Sequence, residues 1–320
     1  MKKYLIIFSA CLFLLYGCES KSDGMFKKAV RFYVAGNQDS ALKTYHAILR
    51  ADPDYFPALV NRAVIYEKLG DFKNAENDYE HAYKIDPRNP QLLNNMGAFY
   101  ASHRRPLMGI YYLNQAIDAN PDYFEAYVNR AAAYESIDMV REAVEDIETA
   151  VILRPQSMAA LEIRAVINMK RLYMTEALDD LYLLLSLDPS NAKNYYRRAI
   201  AFKQMQRYAN AMQDLNSAIF LNPDYVDALY ARAQLHFKNV DHNSAYSDVE
   251  KIKKISNNYA PAYELAGDIW AIEDPVQAVA NYIAARKLDP ANARRYNAKI
   301  ALMRTEEGRK RVITRTFWEN

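Results

Sequence analysis

Arginine and aspartate recur in this chain at one fixed separation. Arg62, Arg130, Arg164, Arg198 and Arg232 are each followed, sixteen residues later, by Asp78, Asp146, Asp180, Asp214 and Asp248. A row of carboxylates could supply metal ligands or general acids. A carboxylate facing a guanidinium instead forms a forked ion pair. The chain discriminates between these readings. At the equivalent places elsewhere Met96 stands against Tyr112, Ala266 against Asn281 and Lys28 against Thr44, so Arg and Asp are present together or absent together. The pairs read as framework ion pairs within one structural unit, with a small net energy because burial costs desolvation.

Other reactive side chains form no constellation. The five histidines, His46, His81, His103, His236 and His242, show no metal-ligand spacing on one helix. The two cysteines, Cys11 and Cys18, both lie near the N-terminus, so no cysteine is left in the body of the chain as ligand or disulfide partner. No glycine-rich phosphate loop and no serine or cysteine nucleophile in a recognisable setting is present. The expectation is a protein that is not an enzyme, with no catalytic residue, no cofactor and no metal.

The elements carrying these residues are helices in a strict repeat. Pro53, Pro87, Pro121, Pro155, Pro189 and Pro223 follow one another at intervals of 34, and Pro290 closes the series. A period of this size means one supersecondary unit copied and stacked. In the unit from Phe56 to Asn89, Leu59, Ala63 and Tyr66 mark one apolar helical face, and Ala75, Tyr79 and Ala82 mark another. Leu69-Gly70-Asp71 is the turn between them, because glycine tolerates the left-handed conformation that ends a helix. Asp86-Pro87 stops the second helix.

The unit resembles the tetratricopeptide repeat (TPR). Its first small site is filled by Ala29, Ala63, Gly97, Ala131, Ala165, Ala199, Ala233 and Gly267. Its second reads Ala41, Ala75, Gly109, Ala143, Ala177, Ala211, Ala245 and Ala278. The resemblance implies an all-α chain, a right-handed α-solenoid of about eight helix hairpins with a C-terminal capping helix. The repeats start near residues 22, 56, 90, 124, 158, 192, 226 and 260 of an array spanning 25–290, and 291–320 form the capping helix and a basic, aromatic tail. Departures gather late in the chain: Asn168 and His236 at the aromatic site, Leu184 at a small site, Asn257 in place of proline, and an eighth repeat one residue short.

In such arrays the first helix of each hairpin lines a concave face that binds protein. Positions on that side hold Asn61, Asn95 and Asn129 in register, and an amide ladder can pair with an extended peptide backbone. Further along, Tyr196, Arg197, Lys203, Tyr230, Phe237 and Lys238 interleave aromatic and basic groups suited to a peptide with apolar and acidic side chains. A clamp of lysine and asparagine for a terminal carboxylate is not expected, since the positions for its second asparagine are Val30, Val64, Ala98 and Ala132.

Charge and the N-terminus narrow the class. There are 41 basic against 39 acidic residues, and Lys2 and Lys3 account for the excess. A neutral body gives no electrostatic reason to expect nucleic acid. Lys2 and Lys3 precede an apolar run, Tyr4 to Tyr16, too short to span a bilayer and patterned as a secretory signal. Its end, Leu15-Tyr16-Gly17-Cys18, resembles the lipobox of bacterial lipoproteins, although Tyr16 is bulkier than usual there. That resemblance implies a signal peptide over 1–17, lipid attachment at Cys18 and a linker over 18–24, which anchors the chain by acyl chains.

The expectation is therefore a lipid-anchored TPR scaffold of the bacterial cell envelope, at the outer rather than the inner membrane, facing the periplasm or the cell surface. It binds protein or peptide partners, and its oligomeric state is open. One alternative is a structural subunit of a larger secretion, motility or assembly machine. Another is a peptide- or glycan-capturing binding protein.

Overall fold

In the computed structural model, residues 20–318 are described, and all regular structure among them is helical. Hairpins follow in chain order: α1 (Lys21–Val34) with α2 (Gln38–Ala51), α3 (Phe56–Lys68) with α4 (Phe72–Ile85), α5 (Pro90–Ser102) with α6 (Pro106–Ala119), and α7 (Phe124–Ser136) with α8 (Val140–Leu153). Then come α9 (Met158–Lys170), α10 (Met174–Leu187), α11 (Ala192–Gln204) with α12 (Tyr208–Leu221), α13 (Val226–Lys238) with α14 (His242–Ile255), and α15 (Ala260–Trp270) with α16 (Pro275–Leu288). A short 3-10 turn, Pro290–Asn292, leads to α17 (Ala293–Leu302) and α18 (Glu306–Trp318). The chain divides into two compact units, 1–171 and 172–320. Within each, consecutive helices pack on one another.

One backbone device makes every hairpin from the first to the seventh. Gly36, Gly70, Arg104, Asp138, Leu172, Gln206 and Val240 all have positive φ, between 59° and 79°, and all sit 34 residues apart. At six of these turns the next residue donates its N–H to a carbonyl five positions back, as Asp71 does to Tyr66 at 2.9 Å and Asp241 to His236 at 2.9 Å. This is the hydrogen-bonded C-cap that a left-handed residue permits. Asn37, Asp71 and Asp241 then cap the following helix through their side chains. The eighth hairpin, one residue short, has no left-handed residue in its turn. Asp274 caps α16 there, accepting from Val276 and Gln277.

The small sites set how closely the helices approach. Ala29, Ala41, Ala63, Ala75, Ala131 and Ala143 are wholly buried. In α5 and α6 both sites are glycine. A Cβ on Gly109 would lie 2.6 Å from the Gly97 carbonyl oxygen, so this hairpin admits no side chain at the crossing. Tyr45, Tyr79 and Tyr282 fill one recurrent position of the second helix and are fully buried.

The C-terminal end differs from the single capping helix expected from Ala291 to about Gly308. There are two helices, broken after Leu302. Thr305 restarts the chain: its hydroxyl accepts from the Gly308 N–H at 3.0 Å and its carbonyl from Arg309 at 3.0 Å. Val312 on α18 is buried in a cluster with Ala271, Tyr282 and Met303.

Candidate functional site

Four of the arginine–aspartate pairs are bidentate. Arg62 donates from Nε and Nη2 to the two oxygens of Asp78, both at 2.8 Å. Arg130 grips Asp146 at 2.7 and 2.6 Å, Arg198 grips Asp214 at 2.8 Å twice, and Arg232 grips Asp248 at 2.9 and 2.7 Å. The aspartates are almost fully buried. Burial pushes the Asp146 carboxyl up while Arg130 pulls it down, and Arg130 itself is held further toward its charged form. Arg164 and Asp180 lie on α9 and α10, in different units.

Each arginine also reaches back sixteen residues, into the second helix of the preceding repeat. Arg62 meets His46 at 2.9 Å, Arg130 donates to Asn114 at 2.7 Å, Arg164 pairs with Glu148 at 3.5 Å, and Arg232 donates to Asn216 at 2.8 Å. Arg198 lies over the Tyr182 ring at 4.7 Å. One guanidinium thus joins two repeats. The sequence pattern did not expose this, because the residue sixteen back is variously His, Asn, Glu or Tyr.

On the face carried by α3, α5 and α7, the asparagines are not laid out as an open ladder. Asn95 is 1% exposed and Asn129 2% exposed, while Asn61 is half-buried and hydrogen-bonds Tyr45. Asn129 donates to Asn94, its neighbour across the face, at 2.9 Å. Both polar atoms of Asn95 lack a partner among the described residues. The reason for the burial is the glycine pair beneath: α5 is drawn so deep into its hairpin that Leu92 to Tyr100 are all buried. Periodicity assigns these residues to one side of a helix and does not report how deep that side lies.

In the second unit, α11 and α13 carry the aromatic and basic residues. Tyr196 packs on Tyr225 with ring centroids 5.1 Å apart, and Tyr230 on Tyr259 at 5.6 Å. Arg197 donates to Asn194 at 3.2 Å, Lys203 to Gln234 at 2.8 Å, and Lys238 to the Tyr208 hydroxyl at 2.7 Å. Tyr196, Arg197, Lys203, Tyr230 and Lys238 are half-buried. Phe237 departs from expectation: it is 2% exposed and packs against His242, because its ring turns toward α14 rather than outward. A cavity of about 30 Å³ is lined by Lys203, Tyr230, Gln234 and Lys238, and by Glu264 and Asp268.

Those two acids were missed from sequence. Asp268 accepts from Lys299 on α17 at 2.7 Å and from the Tyr282 hydroxyl at 2.8 Å, and Glu264 lies 2.8 Å from both Arg295 and Lys299. The only available signal was that α17 continues the helical rhythm with basic residues. Among the described residues no group of three or more His, Cys, Asp or Glu could hold a metal ion. No helix among them is long and apolar enough to cross a membrane. Cys18 and the apolar run before it lie outside the described residues.

Comparisons with known proteins agree with this geometry. Residues 56–89 match the tetratricopeptide repeat and residues 201–240 the TPR repeat. The human mitochondrial import receptor subunit TOM70 is 27% identical over 147 residues, 44% of this chain and 24% of its own, so the match spans about a quarter of that relative. Among solved structures, a tetratricopeptide repeat protein from Parabacteroides merdae aligns with a TM-score of 0.60 and 21% identity, over 76% of this chain and 96% of its own. PilW, a type IV pilus biogenesis factor, aligns with a TM-score of 0.61 and 20% identity, over 65% of this chain and 96% of its own. Repeat matches, hairpin geometry and fold neighbours together make this chain a tetratricopeptide-repeat protein.

Proposed function

We propose that the chain is a lipid-anchored adaptor of the bacterial cell envelope that holds a protein partner against the face formed by the first helices of its hairpins. The observation that carries the binding face is that α11 and α13 each hold a half-buried tyrosine and a half-buried lysine, Tyr196 and Lys203 on one and Tyr230 and Lys238 on the other. Rigid aromatics at low entropic cost beside directed cations make a binding surface. Arg197 adjoins them; in the first unit Asn61 is half-buried on the equivalent side, whereas Asn95 and Asn129 are buried. The fold neighbour PilW, titled a pilus biogenesis factor, supports an envelope role. The anchor rests on Cys18 behind its short apolar run, with 1–17 removed, 18–24 as linker, 25–290 as the repeat array and 291–320 as cap and tail.

Two experiments test this. Radiolabelled palmitate should enter the wild-type chain and not Cys18→Ser; equal labelling would remove the anchor. Partners captured from envelope extract by the wild-type chain should be lost on changing Tyr196 and Tyr230 together to Ala, and unchanged capture would remove the face.

A second reading, a structural subunit of a larger envelope machine, is favoured by one patch. The outer side of α6 exposes Leu107 (70%), Tyr111 (58%) and Met108 (38%) on a helix with one charged residue. It predicts self-association of the isolated chain. A monomer by analytical ultracentrifugation, unchanged by Leu107→Lys, would discard it.

A further inference from the structure

The second unit buries positive charge without an anion to match it. Lys203, on the last turn of α11, donates to the neutral carbonyl of Gln234 at 2.8 Å. Among the described residues no carboxylate lies within ion-pair distance of it. Lys238, at the end of α13, donates to the neutral Tyr208 hydroxyl at 2.7 Å and lies 4.3 Å over the same ring. Both lysines line the 30 Å³ cavity. Burial, and then the charge of Lys238, hold Lys203 below the ordinary lysine range. Two half-buried like charges with neutral acceptors are an unfavourable arrangement unless something of opposite sign arrives.

The two acids that line the cavity do not supply it. Glu264 is held between Arg295 and Lys299, each at 2.8 Å, and Asp268 by Lys299 and Tyr282. These carboxylates are already paired with basic residues of α17. The lining Lys203, Lys238, Arg295, Glu264 and Asp268, together with Lys299, sums to two positive charges, four cations against two anions. The cavity holds about one water. Gln234, the acceptor of the Lys203 ammonium, is the neutral placeholder an incoming group would replace.

We infer that this cavity is a recognition pocket for a carboxylate, the side chain of a glutamate or aspartate on the bound partner, received between Lys203 and Lys238 with the Tyr230 ring beside it. The inference rests on the partner-binding face proposed above and names its chemistry. A carboxylate oxygen accepts from both ammonium groups in charge-assisted bonds, stronger than the neutral ones they replace. It also relieves the like-charge pair, so the gain is larger than at a solvated lysine.

The test uses the full-length chain in detergent micelles with ¹³C-labelled lysine, titrated by NMR with N-acetyl-glutamate methylamide, its glutamine analogue and inorganic phosphate. The glutamate probe should shift the Lys203 and Lys238 signals together and raise the titration midpoint of Lys203 toward ordinary lysine. The glutamine analogue should leave them in place. Lys203→Met and Lys238→Met should each weaken the glutamate response about tenfold or more, the loss of one hydrogen bond to a charged group. Lys203→Arg, which keeps the charge, should retain most of it. Equal responses to glutamate and glutamine, or tighter binding of phosphate than of glutamate, would overturn the assignment. If partner capture fails on changing the two tyrosines but survives both lysine changes, the face stands and the carboxylate pocket falls.

Discussion

Nη1 of Arg62 lies 2.9 Å from Nδ1 of His46, a residue of the preceding repeat, while the same guanidinium forks onto Asp78 in its own. The arginines are therefore joints between repeats as well as braces within one. In a stacked array, stability is a sum of repeat and interface contributions, so one group serving both couples neighbours that would otherwise melt separately.

Removing the guanidinium should be costly where removing the pair is not. Arg62→Ala strands the buried Asp78 carboxylate and is expected to destabilise the first unit by about 3 kcal/mol. The double change Arg62→Met with Asp78→Leu should recover most of that. Hydrogen exchange of the α2 and α4 amides measures both, and equal losses would show that the charge is not the issue.

The contact with His46 makes the first junction sensitive to acid. Burial, then the charge of Arg62, hold the His46 imidazole below its usual range. The folded state thus resists protonation that the unfolded chain accepts near pH 6.5. Stability should be full above that pH and fall as pH drops toward the lowered folded value. Asn occupies the matching places at 114 and 216, so His46→Asn should flatten this slope in melts taken from pH 7.5 downward.

Glu67, on the inner side of α3, works in the opposite direction. Burial pushes its carboxyl up to about 8, against the Tyr79 hydroxyl and Lys68. The folded state keeps the proton while the unfolded chain loses it, so stability declines as pH rises from the ordinary glutamate range to about 8. Glu67→Gln should raise the melting temperature at pH 8 and leave it nearly unchanged at pH 4.5; the reverse order would refute the assignment.

The hairpin turns carry removable strain. Val240 is β-branched, has φ of 62° and is 70% exposed, so its side chain contributes little packing. The same place is glycine at 36 and 70. Val240→Gly should stabilise the second unit by about 1 kcal/mol, the steric cost of a left-handed residue less the added chain entropy. Thermal melting of the single variant reads the sign.

The closest helix crossing should tolerate nothing larger than hydrogen. Gly109→Ala places a Cβ against backbone of α5 and should cost about 2 kcal/mol by forcing α5 and α6 apart. Gly24→Ala, on α1 with open space around it, should be neutral or gain about 0.5 kcal/mol. Urea denaturation midpoints distinguish them.

The amino-acid order alone determined the hairpins, because what builds them is local. A 3.6-residue apolar rhythm, alanine or glycine at two crossing points and proline at every exit but the seventh act within a few turns, and the buried alanines sit at those crossings. The arginine forks were legible for a related reason: both partners lie in one repeat and vary together. Tertiary packing decided the rest. It drew α5 down on its two glycines and so buried Asn95, turned the Phe237 ring inward, and brought each arginine against a residue of changing type in the repeat before. It also gathered Lys203, Lys238 and Gln234 around one small space. Those outcomes depend on how far one helix sinks toward another, a distance that emerges when whole repeats pack and that no periodicity encodes.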